Sequence, residues 1–302
     1  MLIKQLVSDT GVSLTSSTQD VQEKEISHIP GYRVGAFLIR TKLTYTTGAS
    51  VTNVKGDLGA ISQFGVKNKN SIDIIPASLD FVEILSTIEA YQDESILNNT
   101  TSPTLSASMT NATLSRVFLL PVSIRSSDLP SKLNMKIGKL ADVASSGLTS
   151  ASLDYNIKVI YLNEGSEAIT TKLRRHTFDG KTDWVVNELD DVERCVFLLL
   201  RVPSTDAASD MKITEGGNLI LDLVSDDINN LKFLFSAKSN TGTITSLINS
   251  SNALYVISNI TNYANANYQA LLRFEDRPLI KPSVSVKLST NVDSCYIYAI
   301  SV

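Results

Sequence analysis

The side chains best suited to nucleophilic or metal chemistry are few and scattered. His28, His176, Cys195 and Cys295 are the only histidines and cysteines among the 302 residues. A zinc site needs about four clustered ligands, and these four residues show no recognisable spacing. Both cysteines lie inside apolar, strand-like runs, which predicts buried free thiols. We expect both histidines to be structural, so the sequence predicts no metal site and no catalytic triad.

Paired carboxylates are the second kind of candidate. They occur at Asp93-Glu94, at Asp190-Asp191 with Glu193 close behind, and at Asp226-Asp227. Such pairs serve as the acid and base of glycosidases or as calcium ligands. Asp-Asp is also common in turns, where it makes local hydrogen bonds, and we prefer this interpretation. The glycine-rich phosphate loops and nucleophile motifs of enzymes are missing. We therefore predict no enzyme, no catalytic or cofactor-binding residue, and no cofactor.

Aromatic and basic residues give two further candidates. Sugar rings could stack on one tryptophan and three tyrosines: Trp184, Tyr255, Tyr263 and Tyr268. A tryptophan beside two valines is more typical of a core, so binding of carbohydrate is kept as an alternative. A basic stretch comprises Lys172, Arg174, Arg175 and His176. We interpret it as a solvated face or a salt-bridged strap between domains, with contact to an acidic neighbour or lipid headgroup as the alternative.

Composition excludes several classes of protein. The net charge of −4 provides no basic field, so we expect no direct binding of nucleic acid. No window approaches the roughly 18 apolar residues of a transmembrane helix. The N-terminal residues lack a continuous apolar core, so no signal peptide is predicted. Abundant Ser, Thr and Asn together with many β-branched residues favour β structure.

A repeated pattern organises the chain. Residues Ile29–Tyr45 return in outline as Leu189–Val202, at an offset of 189 − 29 = 160 residues that places Phe37 on Phe197. Each copy predicts a turn followed by a buried strand that opens a unit. The strands at 133–137 and 157–161 match those at 284–288 and 296–300. A period near half the chain length predicts two similar domains.

The boundaries follow from changes in composition. Apolar content drops at 163–167, so we place the two domains at 25–165 and 166–302. Residues 1–24 are expected to form an N-terminal arm, with an edge strand as the alternative. A helix capped by Ser78 and ending near Tyr91 precedes a polar, exposed loop, Asp93–Ala112. The remaining short strands between polar turns predict an all-β sandwich architecture.

The order of these segments, used twice, resembles the double jelly-roll major capsid proteins of tailless icosahedral, membrane-containing bacteriophages and related viruses. The likeness is a pattern of hydrophobic spacing and turns that extends over about 25–302. It is carried by Gly31–Arg40 with Leu43–Tyr45, Leu58–Asn68 ahead of the helix, Asp128-Leu129-Pro130 with the two strands after it, and Glu188-Leu189-Asp190.

The resemblance implies two tandem eight-stranded jelly-roll sandwiches with short helices in loops. It further implies a structural protein whose homotrimers form pseudo-hexagonal capsomers of an icosahedral virion shell. Expected partners are neighbouring capsomers, minor capsid or vertex proteins, and internal membrane lipids through the segment Met1–Asp20. Synthesis is expected in the host cytoplasm. The alternative that the sequence leaves open is a carbohydrate-binding β-sandwich protein of the tail or adhesin type.

Overall fold

The computed structural model describes residues 1–92, 104–166, 168–202, 209–224, 267–274 and 277–302. They form two compact units that divide between Thr171 and Lys172, close to the expected boundary at 165/166. The described residues contain sixteen strands, eight in each unit, and all strand pairing is antiparallel. The predicted all-β class with two tandem eight-stranded sandwiches is confirmed.

The first unit is built from two four-stranded sheets. Their orders are β1-β8-β3-β6 and β2-β7-β4-β5. The strands are β1 (Leu2–Ser13), β2 (Gln19–Ile26), β3 (Tyr32–Asn53), β4 (Ile61–Lys67), β5 (Asp73–Ile75), β6 (Ala112–Ile124), β7 (Ser131–Ile137) and β8 (Ala144–Asn163). Two helices, α1 (Phe81–Gln92) and α2 (Leu140–Val143), lie between strands.

The second unit repeats this plan. Its strands are β9 (Lys172–Gly180), β10 (Val185–Glu188), β11 (Cys195–Val202), β12 (Ser209–Glu215), β13 (Asn218–Leu223), β14 (Asn267–Arg273), β15 (Ser283–Leu288) and β16 (Val292–Ser301). The sheet orders are β9-β16-β11-β14 and β10-β15-β12-β13. Subtracting eight from each strand number reproduces the first unit, so the two jelly rolls have the same topology.

The repeat therefore exists, but its sequence alignment is wrong by one residue. Phe37 pairs with Val159 of β8, and its ring contacts Phe64 in the opposite sheet, so it faces the core. In β11, Leu198 is the residue packed in the second core, and it pairs with Ala299 of β16. Phe197 and Leu199 alternate with the core residues and face the other side of the sheet. Phe37 is thus equivalent to Leu198 and not to Phe197. The predicted alignment is off by one residue, and such a slip would move every side chain of the strand to the opposite face.

Burial explains why the sequence did not fix this register. All eight residues of β11 are buried, and Arg201 is the one charged residue among them, so along most of the strand no polar residue marks an outer face. The match of 157–161 with 296–300 is displaced in the same way, since Ile157 and Ile297 are the equivalent core positions. The topology also shows that β3 and β11 are the third strands of their units, so the prediction of an opening strand was wrong.

The segment expected to form an arm lies in strands instead. Residues 2–13 are β1 and residues 19–26 are β2, and each is the edge strand of its sheet. Val7 and Leu14 are buried, while most other residues of this segment are exposed. An edge strand covered on one side leaves a mixed polar pattern, which the sequence alone does not distinguish from an arm.

Helix α1 begins at Phe81, and Asp80 rather than Ser78 caps it. The Asp80 carboxylate accepts a hydrogen bond from the Val82 N–H at 2.9 Å, and Glu83 accepts the Asp80 N–H at 3.0 Å. The two bonds satisfy backbone N–H groups at the start of the helix. Of the loop predicted at 93–112, residues 93–103 lie outside the described residues. Leu105 is buried and its backbone is bound by the Asn53 side-chain amide, so the later part is anchored.

Candidate functional site

The two cysteines are free and buried in the second core, as the sequence predicted. Burial raises the pKa of the Cys195 thiol to about 12 and that of Cys295 to about 11. Cys195 pairs with Ser301, six residues along β16 from Cys295. At about 3.4 Å per residue, their Cα atoms are roughly 20 Å apart, too far for a disulfide.

We predict that neither thiol reacts in the folded protein. At pH 8 only about one Cys195 thiol in ten thousand is ionised, and the thiolate is the reactive form. Treatment with a thiol reagent, followed by intact-mass measurement, should show no adduct on native protein and two adducts after unfolding in denaturant. One adduct per native chain would contradict the burial of that cysteine.

His176 and the central acidic pair have structural contacts. His176 of β9 lies 3.0 Å from the Asp191 carboxylate, and Arg174 lies 3.3 Å from the same group. Asp191 belongs to the turn closed by the Val192 N–H and the Leu189 carbonyl. Asp190 and Asp191 lie in a turn, and the contacts of Arg174 and His176 with Asp191 are made within the second unit. His28 is exposed between β2 and β3. The pairs Asp93-Glu94 and Asp226-Asp227 lie outside the described residues.

Trp184 is not the core residue that its neighbours suggested. It is 40% exposed, and the Lys212 ammonium lies 4.8 Å from the centre of its ring. Lys212 also lies 3.6 Å from the Asp222 carboxylate, so the indole sits at one end of a cation–π and ion-pair series. Tyr255 and Tyr263, and the side chain of Tyr268, lie outside the described part of the chain.

The outer faces of the two equivalent sheets have different chemistry. The face of β2-β7-β4-β5 is covered by ion pairs, including Lys132 with Glu23 at 2.7 Å and Lys136 with Asp20 at 3.3 Å. The hydrogen bond from Lys132 lowers the pKa of Glu23. In the second unit, Trp184 directly precedes the equivalent edge strand β10, and the 58%-exposed Val186 lies within it. The fold does not require apolar residues there, because the first unit has charges at that edge.

The sequence interpretation missed a buried ion pair in the first unit. Arg116 of β6 is 2% exposed, and two of its nitrogens lie 2.7 and 3.2 Å from the two carboxylate oxygens of Asp57. Asp57 belongs to a 3-10 turn at Gly56–Ala60. Arg116 lies on the same inward face of β6 as Phe118 and Leu120, because alternate residues of a strand share a face. This alternation is the sequence signal that could have identified Arg116 as a buried residue.

The contacts found at these positions are ion pairs, hydrogen bonds and packing contacts. Within the described ranges, no group of three or more His, Cys, Asp or Glu side chains is placed to hold a metal ion. A search of the same residues finds no helix with the length and apolarity needed to span a bilayer.

Comparison with known proteins gives a likeness of structure only. No protein-family model matches the sequence, and no curated protein is significantly similar to it. The major capsid protein in the crystal structure described as STIV MCP has a TM-score of 0.62 and 10% identity, over 98% of this chain and 94% of that chain. A chain from the atomic structure of Sulfolobus Turreted Icosahedral Virus has a TM-score of 0.60 and 9% identity, over 99% and 89%.

A more distant match lies in an algal virus. A chain of the PBCV-1 virus capsid has a TM-score of 0.53 and 8% identity, over 99% of this chain and 92% of that chain. The three matches extend over nearly the whole of both chains, and identities of 8–10% carry the fold alone. This chain has the double jelly-roll fold seen in viral major capsid proteins.

Proposed function

We propose that this chain is the major capsid protein of an icosahedral virus. The observation that carries the proposal is the tandem pair of jelly rolls with one strand order, matched along nearly the full length of the STIV major capsid protein. Fold alone does not fix function, so the assembly behaviour of the protein is the decisive property.

Three copies would form the homotrimeric capsomer. Each chain supplies two sandwiches, so a trimer presents six similar bodies and has a pseudo-hexagonal outline. Such capsomers would tile the shell and contact neighbouring capsomers and minor capsid or vertex proteins. The ion-paired outer sheet face of the first unit and the net charge of −4 support a wall that does not bind the genome directly. In this proposal the protein is structural and is not an enzyme.

Lipid contact through Met1–Asp20 remains part of the proposal in a narrower form. Most of this segment is strand β1, which pairs with β8 along its length. Its exposed apolar side chains are Met1, Leu2 and Ile3, at 75, 39 and 50% exposure. Deleting the segment would remove a strand from the first sandwich, so substitution of Leu2 and Ile3 by serine is the better probe.

Light scattering after size exclusion, followed by electron microscopy, tests the proposal. We expect a species of about 98 kDa, three times the 32.8 kDa chain mass, and closed shells under assembly conditions. Phospholipid retained by particles of wild type and of the Leu2→Ser, Ile3→Ser variant measures the lipid contact, and equal retention would exclude it.

The exposed Trp184 favours carbohydrate binding as the second candidate. Trp184 is the single tryptophan, so its emission reports on that site alone. A protein that stays monomeric at every concentration, and whose emission changes saturably with an oligosaccharide, would support this alternative and overturn the capsid proposal.

A further inference from the structure

We propose that a recess beside Arg33 binds a small oxyanion of the phosphate or carboxylate type. The recess has a volume of about 250 Å³ and lies in the first unit. It is formed by the start of β3, the ends of β6 and β8, and the segment after β8. Its lining residues, which we call the Arg33 recess, are Arg33, Ser123, Asn163, Gly165, Ala168 and Ile169.

Arg33 brings a positive charge to this recess. It is half-buried, and one of its terminal nitrogens donates a hydrogen bond to the Ser123 hydroxyl oxygen at 3.0 Å. The Ser123 hydroxyl donates in turn to the Ile169 carbonyl, which fixes the direction of the first hydrogen bond. Within the described ranges, no carboxylate lies at ion-pair distance from Arg33. A guanidinium has five N–H donors, so donors remain for a ligand.

The acidic groups that the structure describes near the recess are engaged elsewhere. Glu164 follows Asn163 directly, but its carboxylate accepts the Ser126 N–H at 2.8 Å. Asp128 accepts a hydrogen bond from the Thr170 hydroxyl and lies 3.7 Å from Arg125. These contacts leave the charge of Arg33 without a match in the described chain.

Other arginines that are withdrawn from water show how this protein usually treats them. Arg116 has the Asp57 carboxylate, and Arg174 has Asp191. Burying a guanidinium without a counter-charge is costly, so these partners are expected. At Arg33 an open recess occupies the place of such a partner.

The lining selects the chemistry of the ligand. A guanidinium matches the planar oxygens of a carboxylate or two oxygens of a phosphate. The Asn163 side-chain amide adds a neutral hydrogen-bond donor, and no atom lies within 4 Å of where a Cβ of Gly165 would project. The volume of about 250 Å³ is below the roughly 300–1,000 Å³ typical of pockets for larger ligands. The recess therefore suits a small ion better than a nucleotide.

The test uses the full chain and two matched arginine variants. Inorganic phosphate is titrated at constant ionic strength and its phosphorus NMR line width is measured with wild type, Arg33→Met and Arg40→Met. Arg40 is exposed on the same strand, so its variant has the same change in net charge outside the recess. We expect broadening with wild type and Arg40→Met, and none with Arg33→Met. At phosphate tenfold above the Kd, the ratio of folded to unfolded protein should rise about elevenfold in the two binding proteins.

A third variant tests the charge match directly. Ala168→Glu places a carboxylate in the recess, and we expect it to abolish phosphate binding while Arg33 is retained. Acetate, titrated separately, should compete with phosphate because both present the same oxygens to Arg33. Equal broadening in Arg33→Met and wild type would overturn the proposal, and so would a wild-type protein that leaves the phosphate line unchanged.

Discussion

Replacing Arg116 by methionine is expected to destabilise the protein by about 3–5 kcal/mol, because it leaves a buried carboxylate without its counter-charge. Arg116 and Asp57 are each almost completely buried, with side chains 1 and 3% exposed, and they form two hydrogen bonds. Denaturant unfolding of wild type and variant measures the loss. A cost below about 1 kcal/mol would show that Asp57 finds another partner or is hydrated.

Two further proteins control this measurement. Replacing both members of the pair, as Asp57→Leu with Arg116→Met, removes the unpaired charge, and we expect this double variant to be more stable than Arg116→Met alone. Arg40→Met removes an exposed arginine of the neighbouring strand β3 and should change stability by less than about 0.5 kcal/mol.

The cost of Arg116→Met should also depend on pH. Burial raises the pKa of the Asp57 carboxyl, and the Arg116 guanidinium opposes that rise. In the variant the opposing effect of Arg116 is lost, so the folded-state pKa lies further above the unfolded value. The folded variant then holds the proton more tightly than the unfolded chain, and its stability falls as pH rises through the folded pKa. We expect a smaller cost near pH 4 than near pH 7, and a cost independent of pH would contradict this.

Replacing Phe64 by alanine is expected to cost about 3–5 kcal/mol. Phe64 of β4 packs against Phe37 of β3, with ring centres 5.3 Å apart, and against Phe81 of α1 at 5.9 Å. Phe81 continues the series to Phe118 of β6 at 5.6 Å. The four rings are at most 1% exposed and connect both sheets to the helix. Removing the second ring leaves a cavity between elements that cannot collapse independently.

Phe64→Leu is the matched control, because it keeps an apolar side chain of similar reach. We expect it to cost less than about 1.5 kcal/mol in the same unfolding measurement. If alanine and leucine were equally tolerated, the aromatic series would not be a principal contact of the first core. Met211 of β12 occupies the position equivalent to Phe64. Phe64 pairs with Met135 of β7, and Met211 pairs with Val286 of the equivalent strand β15.

The sequence by itself determined the class of the fold and its duplication. Strands with period-two alternation, such as Leu153 to Tyr161 in β8, predict one buried face, and the structure alternates buried with half-buried residues there. The strands at 133–137 and 284–288 were matched in the correct register for the same reason, because Leu133 and Val284 begin alternating core faces. The burial of Cys195 and Cys295 also followed from their apolar neighbours.

Only the tertiary structure decided properties that depend on contacts distant in sequence. The register of β11 was invisible because all of its residues are buried, and the assignment of Leu2–Ser13 to an edge strand depends on its partner β8. Charge partners were hidden similarly, since 59 residues separate Asp57 from Arg116. Arg33 was unremarkable in the sequence, and it became a candidate site when residues 123, 163, 165, 168 and 169 were brought beside it. Local pattern specifies which face of a strand is buried, whereas the pairing of distant strands specifies what each buried charge meets.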